Sequence, residues 1–334
     1  MKKSYPLWIL FLFFLSCQNN PKPTVSFYYW KTVFKLSTLE KEILKENDVS
    51  KLYIRYFDVD IKDNTPLPVL PIIFKDNIKN FEIVPVVFIK NEVMLNDDVN
   101  LVDLGEKIRN LINQINKKNN INCKEIQLDC DWTMRSKDNY LQFVTFFKKN
   151  YKGILSATIR LHQVKFFEKT SIPNVDKGVL MFYNMGKVSS DELNSIYDKN
   201  IGKEYTESLK KYPLPLDIAL PIYSWAIQIR NNEVIDLISK LDPNIFENKN
   251  NFEVMAPLRL KVKKSLLQSG YFFKKDDIIK IESISKNDLF EMANDLSKQV
   301  KETPKEIIFY DLDAFNLRTY SNEKKVFQKV SHSF

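Results

Sequence analysis

Apolar runs recur along the chain between polar, Pro or Gly breaks. They are VSFYYW (25–30), KLYIRYF (51–57), EIVPVVFI (82–89), EIQLDCDW (125–132), ILSATIRL (154–161), GVLMFYN (178–184), LDIALPIY (216–223) and EIIFYDL (306–312). Their wealth of β-branched and aromatic residues predicts strands. Between several of them the apolar spacing lengthens to three and four residues. LSTLEKEILKEN (36–47, capped by Ser37 or Thr38), LVDLGEKIRNLINQINKK (101–118), SKDNYLQFVTFFKK (136–149, capped by Ser136) and KNDLFEMANDLSKQV (286–300) therefore predict amphipathic helices. Strand–helix alternation predicts a parallel sheet, and eight strands predict an α/β fold of the (β/α)8, TIM-like barrel kind. An open doubly wound sheet is the alternative, but no G-x-G-x-x-G or phosphate-binding loop follows any strand.

Two stretches break the alternation. DNTPLPVLP (63–71) is Pro-rich and predicts a loop where a helix would otherwise stand. About eighty residues separate the seventh and eighth runs, far more than one helix needs. Within them AIQIRNNEVIDLI alternates around Asn231-Asn232, a hairpin signal, and GYFFKKDDIIKIES (270–283) reads as further strand. Residues 226–285 are accordingly expected to form a small α+β insertion on the top face of the barrel.

The N-terminus has its own pattern. Lys2 and Lys3 precede the apolar run Leu7–Leu15, too short for a comfortable membrane span, and Leu15-Ser16-Cys17 follows. This stretch resembles the export signal of bacterial lipoproteins, in which the Cys is acylated and begins the mature chain. The resemblance implies a signal peptide over 1–16, lipidation of Cys17, a polar tether over 17–24 and a barrel over 25–334. It also implies a cell-envelope location, with the lipid as the membrane anchor.

The 334 residues carry 50 Lys and Arg against 42 Asp and Glu, a formal charge of +8. The lysines are scattered among acids and Asn rather than gathered into a groove, so nucleic acid is not an expected partner. With 2 His and 3 Cys, most zinc frameworks are excluded. Cys123 and Cys130 flank an extended run and lie about 15 Å or more apart at strand spacing, so both are expected as free thiols. No cofactor is expected, and the protein is expected to be a monomer.

Strand faces place the candidate chemistry. In QLDCDWT (127–133), Leu128, Cys130 and Trp132 share the face that packs under helices. Gln127, Asp129, Asp131 and Thr133 then point into the barrel at its C-terminal end, where barrel active sites lie. Asp129 and Asp131 would stand about 6.6 Å apart along the strand, close enough to raise one pKa. In SATIRLH (156–162), Ser156, Thr158, Arg160 and His162 share the inner face beside them. Arg160 suits carboxylates or bidentate ligand contacts, or serves simply as the structural partner of Asp129. His162 is a candidate acid or base, or a wall residue. Asp129, Asp131 and His162 could also form an oxygen–nitrogen metal shell, but no ligand spacing demands one and no metal is expected. Tyr183, Asn184, Tyr223, Trp225, Tyr28 and Trp30 close strands six, seven and one with the flat ring faces that bind sugars.

Three segments resemble the family 18 glycoside hydrolases, the chitinase-like barrels. That family's fourth strand ends D-x-D-x-E, its sixth carries M-x-Y-D and its seventh an aromatic P-x-Y segment. Here they read Asp129-Cys130-Asp131-Trp132-Thr133, Met181-Phe182-Tyr183-Asn184 and Pro221-Ile222-Tyr223. The resemblance spans roughly residues 25–315, insertion included. It implies that Asp129, Asp131 and Tyr183 form the catalytic centre, with Asp131 orienting and Tyr183 hydrogen-bonding a sugar's acetamido group. Arg160, His162, Asn184, Tyr223, Trp225 and Trp30 are expected to bind substrate. Thr133 stands where the family has its general acid, and a Thr hydroxyl does not titrate near neutral pH. A substitute acid would have to come from His162 or from Asp58, Asp311 or Asp313 at other strand ends. LSATIRLHQVK (155–165) and MFYNMG (181–186) also resemble a family of bacterial lipoproteins, a likeness that implies no particular activity. The expectation is an envelope protein whose barrel hydrolyses or binds a glycan. The alternatives are a non-catalytic glycan binder and a structural protein whose polar cluster is an internal ion-pair network.

Overall fold

The computed structural model describes residues 22–241 and 243–334. Cys17, the signal region and most of the tether lie outside them. Eight strands pair in parallel in the order of the chain: β1 (Thr24–Tyr29), β2 (Lys51–Lys62), β3 (Glu82–Ile89), β4 (Glu125–Cys130), β5 (Ile154–Arg160), β6 (Lys177–Met181), β7 (Leu216–Pro221) and β8 (Glu306–Tyr310). Strand β1 pairs with β2 through Ser26 opposite Lys51 and with β8 through Ser26 opposite Ile308, which closes the ring. The fold is thus the expected (β/α)8 barrel. Among the described residues the barrel closes on itself and two hydrophobic cores form, one in the barrel and one in the insertion.

Most barrel strands are buried on both faces, which is why they read as nearly continuous apolar runs. The helices that cover them start where capping chemistry permits. Ser37 and Glu40 form a capping box on α1 (Thr38–Glu46), and the Asn100 side chain accepts from two backbone amides of α2 (Leu101–Asn119). Helix α3 (Lys137–Lys149) begins after Ser136, but that hydroxyl does not cap it. Ser136 Oγ instead accepts from the Thr133 amide at 2.9 Å and donates to Asn91 Oδ1 at 2.5 Å, tying down the turn after β4. The short helix α4 (Leu161–Lys165) follows β5 directly. Then come α5 (Lys199–Thr206), α6 (Lys286–Ser297), boxed by Ser285 and Asp288, and α7 (Val326–Ser331).

The Pro-rich stretch after β2 is not a loop. Thr65–Val69 folds back as an antiparallel strand on the end of β2, turning at Asp63 and Asn64, both at positive φ. Pro66 and Pro68 are tolerated because nothing pairs with the outer edge of this strand. Between β7 and β8, strands 225–230, 233–239, 252–256, 259–262 and 278–282 form one antiparallel sheet. Asn231 and Asn232, at φ 51° and 64°, make its first hairpin. The mixed α+β expectation is corrected there: among the described residues 225–285 the helical content is a single 3-10 turn, Pro243–Glu247. The sheet has its own core around Phe246, Phe252, Val262 and Phe273.

Inside the barrel the lowest layer is ionic. Lys177 Nζ reaches Asp217 at 2.8 Å, Glu125 at 3.2 Å and Glu306 at 3.3 Å, and Lys51 Nζ reaches Glu306 at 2.6 Å and Glu125 at 2.9 Å. Above it, Tyr28 donates to Gln127 Oε1 at 2.7 Å, sealing the floor of the site.

Candidate active site

Above that floor, at the C-terminal ends of the strands, opens a cavity of about 890 Å3. All nine residues expected at the site line it: Asp129, Asp131, Tyr183, Arg160, His162, Asn184, Tyr223, Trp225 and Trp30. Thr133, Asp58 and Asp313 do not.

Asp129 ends the inner face of β4, and Thr158 Oγ1 from β5 donates to it at 2.7 Å. Burial raises its pKa to about 7; the Thr158 hydrogen bond opposes the shift and the Asp131 charge adds to it. Asp131 departs from the expected inward pairing. Strand β4 ends at Cys130, the chain turns, and the Asp131 side chain, 63% exposed, stands on the cavity rim. Arg160 meets Asp131 at 3.5 Å and donates to the Trp132 carbonyl, so its ion-pair partner is Asp131 rather than Asp129. Trp132 stacks on Tyr140 of α3 with centroids 5.6 Å apart, on the outer face as its spacing predicts. Thr133 is exposed at the same turn, its hydroxyl beside Ser136.

His162 lies past the end of β5, in the first turn of α4, and still faces the cavity. Burial, then the neighbouring Arg160 charge, lowers its pKa, so the imidazole is neutral near pH 7 and poorly suited to donate a proton. The remaining acids separate by environment. Asp58 is buried and held by Arg55, with Nε–Oδ1 at 2.5 Å. For Asp313, burial works against ionisation, but the Lys240 hydrogen bond and the Phe315 amide outweigh it and hold the pKa below the usual range. Asp311 alone of these lines the cavity, and burial raises its pKa to about 6. Asn316 Nδ2 donates to it at 2.6 Å.

An aromatic wall faces the carboxylates. Tyr183 stacks on Tyr310 at 5.5 Å and meets Tyr223 edge-on at 5.9 Å, and Trp30 packs against Tyr310 at 5.5 Å. Tyr223 donates to Asn184 Oδ1 at 2.6 Å; Trp225 Nε1 donates to Glu282 of the inserted sheet at 2.7 Å. The sequence reading missed Tyr310 and Lys240. Tyr310 had a signal, since period two from Glu306 turns it inward, whereas Lys240 arrives through the insertion. Among the described residues no group of three or more His, Cys, Asp or Glu is placed to hold a metal ion. Cys123 and Cys130 are free thiols.

The ring of eight parallel strands is a (β/α)8 barrel, and its fold is similar to that of solved chitinases. Among solved structures, the spore cortex-lytic enzyme SleL of Bacillus cereus superposes with a TM-score of 0.56 at 13% identity, over 94% of this chain and 75% of that one. A chitinase from Bacteroides thetaiotaomicron gives 0.55 at 11% identity, over 93% and 96%. A family 18 chitinase from Cycas revoluta, solved with (GlcNAc)4, gives 0.52 at 10% identity, over 92% and 98%. No family model matches the sequence, and no curated protein matches it. At these identities the likeness is one of fold.

Proposed function

We propose that this cavity binds a glycan containing N-acetylhexosamine units, on a protein held at the cell envelope by a lipid on Cys17. The observation that carries the reading is the desolvated Asp129 beside the rim pair Asp131–Arg160, facing a wall of Tyr183, Tyr223, Tyr310 and Trp225. Ring faces bind the apolar faces of sugars, and the carboxylates and Asn184 bind hydroxyls and an acetamido group. Asp131 orients that group and Tyr183 hydrogen-bonds it.

Binding without turnover is the primary reading, because Thr133 offers no titratable proton where the family's acid would stand. Hydrolysis is the second, favoured by Asp311. A cavity acid with a pKa of about 6 is still partly protonated near neutrality and, like Asp129, can donate a proton. Calorimetric titration with chitin oligomers and peptidoglycan fragments, followed by product analysis, tests both. Saturable binding that Asp131→Asn weakens, with no products, supports the binding reading. Products that vanish in Asp311→Asn support hydrolysis. No binding to any of these glycans refutes the proposal. For the anchor, palmitate labelling of the full chain is expected to be lost in Cys17→Ser.

A further inference from the structure

We infer that the N-terminal face of the barrel, opposite the cavity, is a docking surface for an anionic phospholipid bilayer, so that the protein lies on its membrane with the cavity turned outward. The topology sorts the charges. In a parallel barrel every strand starts, and every covering helix ends, at one face. Helices α1, α2, α3 and α6 carry Glu40, Asp103, Asp138 and Asp288 in their first turns, at the cavity end. Exposed lysines gather at the other end. Lys117, Lys118 and Lys149 stand in the last turns of α2 and α3, Lys152 precedes β5, and Lys301 and Lys305 precede β8.

Lysines in a last turn also favour the helix dipole, but Lys152, Lys301 and Lys305 lie outside the helices. Three acids at this face, Glu125, Asp217 and Glu306, are buried in the ionic layer, and the more exposed Asp176, Glu82 and Asp48 are each matched by a lysine outside the set above, Lys148, Lys124 and Lys325. Exposed Glu207 and Glu302 remain against the lysines. The unmatched lysines outnumber the unmatched acids, so the surface is net positive.

Where the chain enters decides the partner. The Thr24 amide donates to the Lys305 carbonyl, and Lys22 donates to the carbonyls of His332 and Phe334, so the described chain begins at this face, beside Lys305. Only four residues separate Cys17 from Lys22. At about 3.5 Å per residue they reach less than about 20 Å, so a lipid on Cys17 would bring this face to within roughly two Debye lengths of the headgroups. Each lysine near an anionic leaflet adds to the attraction. The inference rests on the envelope reading, and its test is made without the lipid.

Residues 22–334 are mixed with phosphatidylcholine vesicles containing or lacking phosphatidylglycerol, and cosedimentation is measured at low salt and at about 0.5 M salt. The expected result is binding that requires phosphatidylglycerol and is lost at high salt. Substituting Lys117, Lys118, Lys149 and Lys152 by Glu should weaken it at least about tenfold. Substituting the exposed insertion lysines Lys249, Lys263, Lys264 and Lys275 by Glu should change it less than about twofold. Unchanged circular dichroism of both variants excludes misfolding as the cause. No binding to phosphatidylglycerol vesicles, or equal losses in the two variants, would overturn the inference. Failure here with palmitate still on Cys17 would reject the docking face and leave the anchor standing; the converse would reject the anchor alone.

Discussion

Asp129 costs the folded protein stability, and removing its charge should return it. Its pKa rises from 3.8 to about 7 on folding, chiefly by desolvation on the cavity floor. Between about pH 4 and pH 7 the folded state holds a proton that the unfolded state has released, so this group makes stability fall as pH rises through that window. Three units correspond to about 4 kcal/mol as an upper bound, and partial exposure to the cavity reduces this to about 2 kcal/mol. Asp129→Asn keeps an oxygen to accept from Thr158, now 2.7 Å away, without the charge. In urea denaturation of residues 22–334, the variant should be about 2 kcal/mol more stable than the wild type at pH 8. The gap should close by about pH 4. Asp311 and His162 titrate in both proteins, so the difference between the two curves isolates Asp129. A variant less stable at pH 8, or a gap independent of pH, would refute the reasoning. A stabilising substitution that also weakens glycan binding would mark Asp129 as a residue kept for function rather than for folding.

Other consequences follow from neighbouring features. Lys177→Met leaves Asp217, Glu125 and Glu306 with too few cations and should cost about 3–5 kcal/mol in chemical denaturation; a loss below about 1 kcal/mol would mean that this layer is well solvated. Thr133 is exposed at the turn after β4 and does not line the cavity, so Thr133→Glu should leave chitin oligomers intact; sugar release detected by chromatography would contradict that placement. Asn232→Ala, at φ 64°, should destabilise the inserted hairpin by about 1 kcal/mol, while Asn232→Gly should be close to neutral in thermal melts.

The strands were legible because burial on both faces leaves an unbroken apolar run, and the helices because apolar residues recur at three- and four-residue steps, with Ser37 marking one start. Asp129 could be placed inward from period two alone, since the apolar Leu128 and Cys130 bracket it on a straight strand. The same rule failed for Asp131 because β4 ends at Cys130, and period two holds only while the chain stays extended. His162 reached the cavity by a different route, through a helical turn rather than the continued strand. Ser136 shows a second limit. A hydroxyl before a helix reads as a cap, yet tertiary partners Thr133 and Asn91 claimed it. Likewise Pro66 and Pro68 read as a loop because sequence does not reveal that the strand they occupy has a free edge. Lys240 had no local signal at all, since only the folding of the insertion brings it to the cavity wall.

The central claim is that the cavity between Asp129 and the tyrosine wall holds sugar. Its most direct test is a crystal structure of residues 22–334 soaked with (GlcNAc)4. The account predicts a sugar ring lying against Tyr183 and Tyr223, with its acetamido group at Asp131. An empty cavity, or sugar bound elsewhere on the barrel, would contradict it.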